Sequence, residues 1–298
     1  MTGVAVFLTA ALGAWAGPLT PGDHLRTVRL GESSRPYLLH VPISYDPARP
    51  HPVVLALHPF ATNGAVMARI TGLSDVADRE KFLIAYPEGR GRAGILHWDV
   101  EAKTGGDSDD VAYLAAVLDD IADVARVDPK RIFATGFSNG AMMCYRLASE
   151  LSGRIAAIAA VAGTMPDAEI RASRPVPVLH FHGTRDGFVS YDGRLWRNPG
   201  ESRLKGVEAT VRAWARFDGC PEMPTTTALP RATAESLAVV KSVYGPGREG
   251  SSVILYRIEE GGHAWPGRDQ TGAFLGKSAA DLKANDLIWE FFREHPLP

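Results

Sequence analysis

Three residues in this chain have the types and the order needed for acyl transfer: Ser138 in "GFSNG", Asp186 in "HGTRDGF" and His263 in "GGHAWPG". A serine hydroxyl is a poor nucleophile until a base removes its proton. An imidazole serves as that base when a carboxylate holds its tautomer. In "RIFATGFSNGAMM" an apolar run ends at Gly136 and a helical pattern begins after Ser138, so the chain must turn sharply at the serine. Glycines two residues to either side suit a G-x-S-x-G nucleophile elbow, where side chains have no room. The turn would expose Oγ at the carboxyl end of a strand and aim a helix amino terminus at a developing oxyanion. The competing role for Ser138 is a plain helix cap. The second oxyanion donor is expected from the loop "LALHPFATNG"; Pro59 has no N–H, so the expected donors are the backbone N–H groups of Phe60 and Asn139.

Each position has rivals. His180 and His182 alternate along "VPVLHFHG" and could form a metal pair, but no third ligand cluster stands near them, so no metal is expected and His182 reads as a structural turn histidine. Asp107, Asp109 and Asp110 in "GGDSDDVAYL" lack calcium-loop spacing and precede an apolar periodic segment, which favours helix capping. His97 precedes the serine, the wrong order for the base, and Glu259 and Glu260 are read as solvated. Trp98 and Trp265 could stand over the nucleophile as an aromatic substrate wall, or could pack the sheet edge.

These residues need a scaffold, and the rest of the chain describes one. After a hairpin signature ("HLRTVRL", "GESS", "RPYLLHVPI"), continuous apolar runs at 53–58, 82–87, 131–136, 155–163 and 176–183 alternate with helical patterns near 64–79 and 109–125 and after Ser138. A helix near 205–217, a second hairpin ("ESLAVVKSVY", "SSVILYRIEE") and a closing helix near 278–293 follow. Such alternation predicts an α/β fold with a mainly parallel sheet of about eight strands, covered by helices on both faces. The 298 residues, 45% hydrophobic, can bury one large core, and a net charge of −2 with dispersed basic residues offers no footprint for nucleic acid. Val4 to Ala16 is apolar, too short to span a bilayer, and ends in Ala14-Trp15-Ala16. Residues 1–16 therefore read as a signal peptide and 17–298 as a single catalytic domain, secreted or periplasmic. Cys144 and Cys220 allow at most one disulfide, and a buried thiol at Cys144 is the simpler expectation.

Taken together, "GFSNGAMM", "HGTRDGFVSY" and "GGHAWPG", with "YPEGRG", "HWD", "DDVAYL" and "VDPKRIFATG" between them, resemble the secreted esterase family that joins polyhydroxybutyrate depolymerases, feruloyl esterases and acetylxylan esterases. The resemblance runs from about Tyr37 to Trp289. It implies an α/β-hydrolase fold, a cofactor-free serine esterase mechanism, ester substrates, and Ser138, Asp186 and His263 as the triad. Within that family the loop here written His58-Pro59 usually reads His-Gly. Relatives also often pair the cysteine at the position of Cys220 with one in the segment here reading "GPGREGSS". Two other functions compatible with these residues are a peptidase using the same triad and a catalytically inactive binder of polysaccharide or polyester.

Overall fold

The computed structural model describes residues 19–92, 94–101, 109–166, 169–195, 204–268 and 275–298; the expected leader over 1–16 and Asp107 lie outside them. The sheet is built around β3 (His51–Leu57), β4 (Leu83–Pro87), β7 (Val127–Phe137), β8 (Ala157–Val161), β9 (Val178–Gly183) and β12 (Val253–Ile258). These pair in parallel, in the order β4-β3-β7-β8-β9-β12. β3, β4, β8 and β9 are buried along their whole length, as their unbroken apolar runs require of strands covered on both faces.

Antiparallel strands extend both ends of the sheet. β1 (Gly22–Leu30) and β2 (Ser33–Val41) form the first hairpin and join at β4, while β11 (Val239–Tyr244) and β10 (Thr225–Ala228) extend from β12. The sheet therefore has ten strands where about eight are expected. The unforeseen edge strand, β10, is the exposed "TTTA", which carries no apolar alternation to betray it. A small separate hairpin, β5 (Arg90–Arg92) with β6 (Ile95–His97), was likewise not expected.

Alternate side chains of one strand feed two cores. On β3, Val53, Leu55 and Leu57 join the core beneath α3 (Asp110–Val124), α4 (Asn139–Glu150) and α5 (Val207–Phe217). Val54 and Ala56 face α1 (Gly64–Thr71), α2 (Leu73–Glu80) and α6 (Ala284–Glu294) on the other side. The single helix expected near 64–79 is broken in two at Gly72, whose φ of 63° ends α1 with its N–H bonded to the Ala68 carbonyl. The closing helix begins at Ala284, later than the pattern suggests. Asp109 caps α3 by accepting from the Val111 N–H, as expected, whereas Asp110 is fully buried and bonds Arg35 at 2.6 Å. Cys144 and Cys220 are free thiols, and burial pushes the Cys144 thiol well up. Among the described residues no helix is long and apolar enough to cross a membrane.

One buried carboxylate makes stability depend on pH. Asp218, at the end of α5, is 0% exposed; Oδ1 accepts from the Val176 N–H at 3.0 Å, while Oδ2 has no hydrogen bond among the described residues. Burial pushes its pKa up to about 7, against the opposing pull of the Val176 N–H and of Arg248 and Arg174. A raised carboxyl binds more protons folded than unfolded, so its contribution is fully present below the unfolded value near 4 and is lost as pH rises through 7. Asp218→Asn keeps the acceptor without the charge. It is expected to stabilise the protein at pH 8 by up to about 4 kcal/mol and to change little at pH 4, as read by urea unfolding at both values.

Candidate active site

The three residues emerge at the same edge of the sheet because the strands that deliver them lie within the run β7-β8-β9-β12. Ser138 follows β7, Asp186 follows β9 and His263 follows β12, all at the carboxyl ends of parallel strands, where open α/β sheets place their ligands. Register aligns these ends: Phe137 pairs with Val161, Val161 with Phe181, and Ile258 with Gly183.

Ser138 is the tip of the turn, with φ 57° and ψ −118°, a conformation that side-chain-bearing residues avoid. The turn is held by the Ser138 N–H donating to the Val161 carbonyl at 2.8 Å and by the Met142 N–H donating to the Ser138 carbonyl at 3.1 Å. A Cβ on Gly140 would collide with the Leu57 carbonyl, and one on Gly163, at the end of β8, with the Ser138 carbonyl. Backbone packs directly on backbone here, so the strain has nowhere to relax. Gly163 completes the elbow from a neighbouring strand and has no signature in the local motif.

His263 Nδ1–H donates to Asp186 Oδ2 at 2.7 Å, with both residues buried. The other carboxylate oxygen, Oδ1, accepts from the Phe188 and Val189 N–H groups, each at 2.9 Å. Burial pushes the Asp186 carboxyl up, but the bond from His263, the fields of His263 and His182 and the Val189 N–H together hold it below the usual carboxylate range. Asp186 is thus an ionised acceptor that fixes the proton on Nδ1 and leaves Nε2 able to accept. Two aromatic rings lie against the imidazole, Phe137 stacked at 4.8 Å and Phe188 tilted at 5.1 Å between centroids.

The loop after β3 is pinned rather than loosened by its proline. The Pro59 carbonyl accepts from His58 Nδ1–H and from the Thr62 hydroxyl, both at 2.8 Å. His58 Nε2 accepts from the Gly89 N–H, and burial lowers the His58 pKa to about 4, so the ring stays neutral with its proton on Nδ1. The Pro59–Phe60 peptide is trans, and in a planar trans unit N–H points opposite to C=O. Holding the Pro59 oxygen therefore fixes the direction of the Phe60 N–H. The Asn139 N–H lies in the first turn of α4, where no intrahelical acceptor exists. The Asn139 side chain acts elsewhere. Its Oδ1 accepts from the Trp98 N–H at 2.6 Å and its Nδ2 donates to the Trp98 carbonyl at 3.1 Å, clamping the segment after β6 to the elbow.

Removing one anchor tests this loop. Thr62→Val keeps the shape and deletes one donor to Pro59; kcat is expected to fall about threefold to tenfold with KM and melting temperature little changed, as read from steady-state kinetics and a thermal melt.

Among known proteins, this chain is 31% identical over 281 residues to a protein of Nocardia uniformis subsp. tsuyamanensis that carries an esterase name, NocK, spanning 89% of this chain and 81% of that one. The chain belongs to the esterase family of α/β-hydrolases. The esterase is also 29% identical to feruloyl esterase C of Emericella nidulans over 87% of its own length and 84% of the relative's. A model of the phospholipase/carboxylesterase family matches residues 98–195. Among solved structures, the acetyl xylan esterase from Aspergillus awamori superposes with a TM-score of 0.62 at 17% identity, covering 81% of this chain and 94% of that one, a likeness of fold. The protein is a carboxylic ester hydrolase, and esters are its substrates.

Two expectations for the esterase need correcting. Trp98 and Trp265 are 2% and 0% exposed, so neither presents a ring to an incoming substrate. Trp98 Nε1–H donates to the His58 carbonyl at 2.9 Å, and Trp265 Nε1–H donates to Asn285 Oδ1 at 2.8 Å while its ring meets Phe137 edge-on. Both are packing residues, Trp98 against the loop after β3 and Trp265 within the loop that carries His263. The aromatic residues that touch the site are Phe137 and Phe188, which lie within the serine and aspartate motifs but carry no mark there of a role. His97 lies against Phe60, away from the Asp186 bond, and Glu259 and Glu260 form ion pairs with Arg257 and Arg185.

Proposed function

We propose that this protein is an exported serine esterase that hydrolyses feruloyl and acetyl esters through an acyl-enzyme, with Ser138 as nucleophile, His263 as general base and Asp186 as its orienting carboxylate. The observation that carries the reading is the His263–Asp186 bond at 2.7 Å, on strand ends adjoining an elbow whose serine is held at φ 57°. His263 Nε2 takes the Ser138 proton as Oγ attacks the ester carbonyl, and the resulting oxyanion is met by the N–H groups of Phe60 and Asn139. The tetrahedral intermediate collapses as His263 returns the proton to the leaving alkoxide. Water, deprotonated by the same imidazole, then releases the acid and regenerates Ser138.

Support for the acyl group comes from side chains around the base. Phe188 lies against His263, and Phe60 is 39% exposed on the oxyanion loop, so aromatic surface is available to an arylacyl group beside the reacting carbonyl. The names of the relatives, feruloyl and acetylxylan esterases, point the same way. Initial rates on methyl ferulate, an acetylated xylo-oligosaccharide and a 3-hydroxybutyrate dimer test the assignment. Faster cleavage of either of the first two supports it, and preference for the dimer moves the protein to the polyester branch. Export belongs to the same proposal and rests on the apolar leader and Ala14-Trp15-Ala16; amino-terminal sequencing of the protein recovered outside the cell should begin at Gly17.

A further inference from the structure

Behind the Asp186 loop lies a file of buried polar groups that the acyl-transfer steps do not use. The alternation of β9 puts His180 and His182 on one face, 0% and 1% exposed, with rings stacked 5.3 Å apart at 6°. Tyr145 of α4 stands at one end, its hydroxyl 2.6 Å from His180 Nδ1. His180 Nε2 is 3.1 Å from His182 Nδ1, and His182 Nε2 is 2.8 Å from the Val189 carbonyl.

The far end sets every proton in the file. A carbonyl only accepts, so His182 Nε2 carries hydrogen and Nδ1 is an acceptor. His180 Nε2 must then carry hydrogen too, leaving its Nδ1 to accept from the Tyr145 hydroxyl. Burial lowers both imidazoles and raises the Tyr145 phenol, so all three stay neutral around pH 7. The file ends on Val189, whose N–H donates to Asp186 Oδ1, and His182 Nε2 lies 3.5 Å from Asp186 Oδ2, the oxygen bonded to His263.

We propose that Tyr145, His180 and His182 form a neutral, one-directional relay that ties the nucleophile's helix to the Asp186 loop, with His182 as a positioning residue for the carboxylate. The relay anchors Val189 by its carbonyl, on the other side of the Cα from the N–H that donates to Oδ1, and so restrains the residue that holds the carboxylate. It also presents a donor edge to Oδ2 that draws negative charge away from His263. The ionisable groups facing His182 are His180 on its own strand, Asp186 and His263 from the two site loops, Tyr191, whose ring meets it edge-on at 6.0 Å, and Arg257, its register partner on β12, paired with Glu259.

The test compares His182→Leu, His182→Gln and Tyr145→Phe with the natural protein, following kcat/KM against pH. Losing the donor edge leaves more charge facing His263, so His182→Leu is expected to lower kcat/KM about tenfold to a hundredfold and to move the acid limb about half to one pH unit higher. His182→Gln, which can still donate to Val189, should recover most of both. Tyr145→Phe removes one oxygen, keeps the ring, and should move the limb the same way by a smaller step, which decides the matter if His182→Leu does not fold. An acid limb that stays put in every folded variant, or Gln no better than Leu, overturns the relay. The proposal rests on the triad reading, so Ser138→Ala is run alongside: turnover surviving there defeats the triad, whereas a dead Ser138→Ala with an unmoved limb defeats the relay alone.

Discussion

Ser138→Ala is expected to lower kcat by about five to six orders of magnitude while leaving the fold intact. The size follows from what is lost: without Oγ no acyl-enzyme forms, and only binding and the oxyanion donors continue to act on the ester. The fold should tolerate the change because the elbow is held by backbone, through the Val161 carbonyl and the Met142 N–H, and by the close approaches at Gly140 and Gly163. Alanine occupies φ 57° no more easily than serine, so no strain is released either. Initial rates on methyl ferulate beside a thermal melt check both halves, and a matching melting temperature separates chemistry from unfolding.

Asp186→Asn is expected to cost about four orders of magnitude in kcat, for a reason of geometry rather than packing. Phe188 and Val189 both donate to Oδ1, so the amide oxygen of asparagine must take that place and turn its NH2 toward His263. A donor facing Nδ1 reverses the tautomer, putting the proton on Nε2, which then cannot receive one from Ser138. The same bonds predict an acid dependence of stability in the natural protein. A carboxyl held below its ordinary range contributes stability above the unfolded value near 4, and that stability is lost as pH falls through the folded value. The asparagine variant should lack this component, as read from urea midpoints at pH 3 and pH 6.

The positions of Ser138, Asp186 and His263 were legible because each sits at a strand end marked by glycine and by a continuous apolar run, signals that belong to the local chain. The central strands were legible for the same reason. β10 was not, because four exposed residues on a sheet edge need no pattern beyond their pairing with β11. Trp98 and Trp265 show a different limit: a place in a loop after a strand, or two residues beyond the proposed base, says nothing about which way a ring points, and both turn inward to partners elsewhere in the chain, His58 and Asn285. The motif points to the backbone N–H of Asn139, while its side-chain clamp on Trp98 depends on a contact across 41 residues. Pro59 stands where the family loop usually has glycine, and its carbonyl is held by two donors at 2.8 Å, contacts that the local sequence does not announce.

Whether Ser138 is the nucleophile can be read directly by labelling the protein with a fluorophosphonate and mapping the adduct by mass spectrometry. Trypsin should release Ile132–Arg146 as one peptide. A single adduct on Ser138 is expected, with no label on the Ser138→Ala protein under the same conditions. An active protein whose label falls on another residue, or that is labelled equally well after Ser138→Ala, contradicts the assignment.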